Sequence, residues 1–184
     1  MLSFYRKLHF GASRFRGDRK GVAAVEFALI APMMLALYMA TVEFQEYFTM
    51  DRKLTAMTSA AADVVSQDDV ITNTEINDIF SAVGSMMKPF STTTIKLRVT
   101  QVHVDGTGKV TVDWSDGKNY TPLAKGSTFP LPANLVVNNM SYIVSESQYS
   151  YKAIVGQYLP SGITLNRIFY VNPRYVDQVM RDTT

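Results

Sequence analysis

The residues with the clearest chemical potential stand at Gly21-Val22-Ala-Ala-Val-Glu26-Phe27. Glu26 is the only ionisable side chain in the apolar run 22–42, VAAVEFALIAPMMLALYMATV. A carboxylate in hydrocarbon costs about 2.5–3.5 kcal/mol on insertion scales, so it requires a partner. A cut after Gly21 would supply one, because the new α-ammonium group of Val22 would lie four residues before Glu26. Glycine before a scissile bond also lets the backbone pass close to a membrane protease. That ammonium group, from the same chain or a neighbouring copy, would align adjacent helices and reward correct register.

Other chemistry is sparse. Of the two histidines, His9 falls in the leader and His103 in a strand, so no histidine pair or triad can form in the exported part. A glycine-rich phosphate loop is absent, and with no cysteine the chain has neither disulfides nor thiolate chemistry. Asp105, Asp113 and Asp116 gather around one hairpin but lack the ligand spacing of a calcium loop, which favours turn and solvated-strand roles. Glu146 reads as a structural residue, either paired with Arg174 or facing solvent. Trp114, Tyr149 and Tyr151 read as core or cross-strand packing. Pro173-Arg174 is open to two readings, docking on the domain or meeting a neighbouring subunit. These residues imply a non-catalytic protein with no cofactor and no metal.

Charge and hydropathy position the amino-terminal motif. The chain has 184 residues and a net charge of +2, but six basic residues fall in the first 20 against the single acid Asp18. Residues 21–184 therefore carry 12 basic and 15 acidic side chains, which offers no basic face for nucleic acid. As a helix, the 21-residue apolar run would span roughly 32 Å, close to the thickness of the hydrocarbon core. Its basic flank predicts a cytoplasmic amino terminus and an exported carboxyl-terminal part. Three readings of the run compete: a cleaved secretory signal, a plain signal anchor, and a leader cut after Gly21. The first is poorly served by Tyr38-Met39-Ala40, which puts a bulky tyrosine where a small residue is needed. Pro32 removes a backbone donor opposite Ala28, so a kink or local melting is expected there, although membrane helices also tolerate proline.

Beyond residue 42 the helical pattern continues through Tyr47, Met50, Leu54, Met57, Ala61 and Val64 to about Ser66, followed by a turn at 67–69. A second helix is expected from about Thr74, with Glu75 in its first turn and Ile76, Ile79, Phe80, Val83 and Met86 on its apolar face, ending before Pro89. Period-two patterning predicts a strand at 94–104, a glycine-containing turn at 105–108, and a returning strand at 109–114. Residues 115–138 read as irregular, and further strands are expected at 141–151 and 165–171. The expected fold is α+β: a long amino-terminal transmembrane helix, a second short helix, and an antiparallel sheet of about four strands. The expected organisation is a basic leader at 1–21, a transmembrane helix at 22–42, and an exported domain at 43–184.

The chain resembles the TadE/TadG-like minor pilins, or pseudopilins, of tight-adherence (Flp-type) pilus systems. The resemblance rests chiefly on RKGVAAVEFALIAP (19–32). It is joined by MMKPF (86–90), VHVDG (102–106) with VDWS (112–115), IVSESQYSY (143–151) and FYVNPR (169–174). The lack of a long insertion resembles the short, TadE-like form. Membership implies general secretory export and cutting by a prepilin peptidase at Gly21–Val22. It also implies register-setting roles for Glu26, Phe27 and Pro32. The implied partners are other pilus subunits, an inner-membrane assembly platform, prepilin peptidase and membrane lipid. The implied location is the bacterial inner membrane, with the carboxyl-terminal domain periplasmic. The rival expectation is a membrane-anchored periplasmic binding or adhesive module that never enters a filament.

Overall fold

A computed structural model describes residues 21–151 and 163–183; the basic leader, residues 1–20, lies outside them. The chain forms two compact units, residues 1–44 and 45–184. One helix, α1 (Val22–Val65), contributes to both. It continues unbroken through Pro32, so the local melting expected there does not occur. A single missing donor removes one hydrogen bond from a 44-residue helix, too little to unwind it.

In the second unit, α1 has the stripe its spacing predicts from Met50 to Ala61, but the stripe ends on Val65, and Val64, expected on it, is exposed. Met50, Leu54, Met57, Ala61, Ala62 and Val65 are fully buried. Each large side chain among them contributes on the order of 1.5–3 kcal/mol. After the turn, β1 (Val70–Ile71) leads into α2 (Asn73–Ser85), which buries Ile76, Ile79, Phe80 and Val83; Met86, expected on the same face, lies past the helix end and is exposed, and Met87 is buried instead. Thr72 caps α2: its hydroxyl accepts from the Glu75 amide at 3.3 Å, and the Glu75 carboxylate accepts from the Thr72 amide at 2.8 Å. This reciprocal arrangement satisfies donors that a helix start would otherwise leave unpaired.

The sheet has the order β3-β2-β4-β5, antiparallel throughout. Its strands are β2 (Lys96–Val104), β3 (Val110–Lys118), β4 (Ser141–Tyr151) and β5 (Ile163–Val171). The α+β expectation therefore holds. Strand β3 runs four residues further than its apolar pattern suggested, because the polar stretch 115–118 pairs with the first half of β2. A register shift lets Trp114 face Gln101 while Val112 faces Val102, leaving Asp113 as the extra residue of a bulge. The bulge separates Trp114 from Val110 and Val112. Trp114 joins the core beneath α1 and α2, and the two valines join a second core on the other side of the sheet.

That second core corrects the view of 115–138 as simply irregular. Phe129 is buried against Val102, Val104, Val112 and Tyr142, with Leu123, Leu131, Leu135 and Val136 around it. The segment also covers the outer edge of β3: Val112 N–H donates to Ser127, Gly126 N–H to Val112, and Phe129 N–H to Val110. Near its start the chain folds tightly on itself. A Cβ on Gly117 would lie 2.0 Å from the Tyr120 carbonyl oxygen, so only glycine fits there.

The carboxyl-terminal segment forms an element absent from the sequence reading. Strand β6 (Met180–Arg181) pairs in parallel with β1, Val70 opposite Met180.

Candidate functional site

The residues singled out at the amino terminus all lie on or beside one helix. Val22 is the first residue of α1, so the Gly21–Val22 bond falls at the helix boundary. A Cβ on Gly21 would meet nothing within 4 Å, leaving that bond sterically open. Val22 and Glu26 are four residues apart on the helix and therefore share a face. Phe27 is 68% exposed, and the large apolar side chains from Val22 to Phe48 include Leu29, Met33, Leu37 and Phe44 at similar exposure. No residue of α1 before Met50 is buried. An apolar surface of this kind is stable only against lipid or other apolar helices. By length and composition α1 can cross a membrane.

Where α1 enters the second unit, Tyr47 meets Tyr151 edge-to-face at 6.0 Å. Higher up, ion pairs join α1 to the sheet and to the chain beyond it: Asp51 with Arg167, and Asp63 with Arg174. The Arg174 amide also donates to the Ser66 carbonyl at the end of α1. The segment containing Pro173-Arg174 therefore docks on its own domain. Arg174 pairs with Asp63 and not with Glu146, which is held by Arg98 across β2 and β4 at 2.7 Å. Arg98 also stacks on the Tyr120 ring, 4.3 Å from its centroid. Glu146 thus has a structural role, with a partner that lies directly opposite it in register.

The three hairpin aspartates bind the chain itself. Asp105 accepts from the Thr107 hydroxyl at 2.6 Å and from the Thr107 and Lys109 amides. Its carboxyl is held below the usual range, chiefly by the Thr107 hydroxyl and then by the Lys109 and Thr107 amides. Asp113 accepts from Gln101, and Asp116 pairs with Arg181 at 2.6 Å, so Asp116 is an ion-pair residue rather than a solvated one. Among the described residues no group of His, Cys, Asp or Glu could hold a metal ion. A groove of about 680 Å³ lies between β3 and the carboxyl-terminal segment, lined in part by Asp113, Asp116, Lys125 and Arg181.

Together these features define an α+β protein in which, among the described residues, one helix is long and apolar enough to cross a membrane; a glycine precedes it, and Glu26 is the one charged residue of its apolar run 22–42. Residues 21–63 match the family model described as TadE-like protein. The match runs from the glycine at the helix boundary to Asp63 in α1 and leaves the sheet outside it. No curated protein and no solved structure matches it.

Proposed function

We propose that this protein is a minor pilin or pseudopilin that takes part in assembling a tight-adherence type IV pilus. One observation carries the reading. The TadE-like match begins at Gly21, the residue just before a helix whose apolar run 22–42 has no fully buried residue and contains Glu26. In this reading prepilin peptidase cuts the Gly21–Val22 bond, and the helix sits in the inner membrane with its amino terminus cytoplasmic. Glu26 pairs with the α-ammonium group of Val22 from its own or a neighbouring subunit, and Phe27 and Pro32 shape the same contact surface. The α+β domain is periplasmic and non-catalytic, and it meets other subunits and the assembly platform.

Intact mass and amino-terminal sequencing of protein from native membranes test the first step. A mature chain starting at Val22 is the expected result. A chain that retains residues 1–21 would favour an anchored binding or adhesive module outside any filament. The Glu26→Ala variant separates cutting from assembly, since it should be cut normally and yet lower the number of pili. Normal pilus numbers would count against the register role of Glu26.

A further inference from the structure

The domain is electrically polar along α1. The acids Asp68 and Asp69 follow α1, Glu75 opens α2, and Asp105 sits in the β2–β3 turn with Lys109 beside it, all at the end of the domain opposite Gln45, where α1 enters it. At the other end, where the chain arrives from the apolar run, the exposed or half-exposed cations are Arg52, Lys53, Lys88, Lys96 and Lys118. Their common location follows from the topology. Lys53 Nζ donates to the Met86 carbonyl at 3.3 Å, which brings the first turns of docked α1 to the end of α2. Lys88 and Lys118 line one groove of about 240 Å³ with Phe80, Ile95 and Leu97. Lys96 begins β2 beside Leu97, whose partner in β3 is Lys118. Among the described residues the ion pairs use other cations, namely Arg98, Arg167, Arg174 and Arg181. The acids at this end include Glu43 and Glu46, while Asp51 and Glu146 are neutralised by Arg167 and Arg98.

We infer that this basic end, centred on the Lys88–Lys118 groove, binds the anionic phospholipid surface of the membrane that holds α1. The inference rests on the membrane-anchor part of the proposed function. Two features favour lipid as the occupant. The cluster lies at the end of the domain that continues directly into the apolar run, and a cluster of lysines beside a membrane-spanning segment attracts acidic headgroups within about one Debye length. The groove combines two lysines with an apolar floor, which suits a phosphate above hydrocarbon.

The chain contains no cysteine, so a single fluorescent label can be placed by one substitution. Full-length protein is placed in phosphatidylcholine nanodiscs, with or without a roughly one-third share of phosphatidylglycerol, carrying a headgroup nitroxide quencher. One label is at Ser85→Cys beside the groove, and a control label is at Gly106→Cys in the opposite turn. The Ser85 label should be quenched at least about threefold more on anionic discs, and high salt should remove the difference. Lys88→Gln with Lys118→Gln should also remove it, while the Gly106 label stays indifferent. Equal quenching on neutral and anionic discs, or no effect of the double substitution, overturns the inference but leaves the anchor intact. Failure of the chain to co-elute with the discs overturns the anchor, and this inference with it.

Discussion

Trp114 donates its indole N–H to the backbone carbonyl of Val179 at 2.8 Å, and Gln101 accepts from the amide of the same residue at 2.7 Å. Two neighbouring side chains of β3 and β2 thereby satisfy both backbone groups of Val179, which is almost fully buried. The carboxyl-terminal segment is tied to the sheet without joining its ladder. Arg181 continues the attachment through Asp116, the Ile71 carbonyl and Asn73.

Trp114→Phe keeps the ring and removes the donor, leaving the Val179 carbonyl without its indole partner. The domain should lose about 1–3 kcal/mol, with faster amide exchange concentrated in residues 178–182. Trp114 is the only tryptophan, so unfolding must be followed by circular dichroism rather than indole fluorescence. Uniform exchange across the domain would mean that the segment is not held by this bond.

The Arg98–Glu146 pair is largely shielded, its side chains 11% and 18% exposed. Glu146→Ala leaves a guanidinium without its carboxylate partner and should destabilise by about 3 kcal/mol. Adding Arg98→Met should recover part of that loss, since no unpaired charge remains. A double variant as unstable as the sum of the two singles would show that the pair is not coupled.

Ser145 is fully buried on β4, and its hydroxyl has no hydrogen-bond partner. Its neighbour on the same face, Ser147, shares a hydrogen bond with Thr58 of α1. Ser145→Ala should therefore be neutral or stabilising by about 1 kcal/mol, and Ser147→Ala destabilising by a similar amount. Urea titration of both variants tests the contrast; equal losses would contradict it.

Acid should act on the domain with two opposite signs. The Glu75 carboxyl is held below its ordinary range, first by the Thr72 amide and then by the Thr72 hydroxyl; Asp105 is lowered by its own turn. Both groups contribute stability above the ordinary carboxylate range, and it is lost as pH falls through their folded values. Burial, and then the charges of Glu75 and Asp69, raise Asp68, so its contribution is present in acid and lost as pH rises through its folded value. Asp68→Asn should raise the melting temperature at neutral pH and change little in acid. Glu75→Gln should lower it at neutral pH, with the difference shrinking below the carboxylate range. Thermal melts across pH check both signs.

What was legible in the sequence is what depends on near neighbours. The apolar run, the stripe from Met50 to Ala61, a second helix with Glu75 in its first turn and the strands β2 and β4 follow from periods of 3.6 and 2 read along the chain; the Thr72 cap and the burial of Val65 in place of Val64 do not. Gly21 and Glu26 were found in the same way, because a lone carboxylate in an apolar helix is conspicuous without any fold. Tertiary structure decided matters that join distant residues. Period two alone puts Trp114 with Val110 and Val112, and the pairing of β3 against β2 creates the bulge at Asp113 that sends it to the other core. Glu146 could have met any arginine until the β2–β4 register placed Arg98 opposite it. The two-residue ribbon β1–β6 is too short for any periodicity; Arg174, Val179 and Arg181 hold it in place through partners far away in the chain. The gathering of five cations at one end has the same origin, since four antiparallel strands and two helices bring residues 52 to 118 together there.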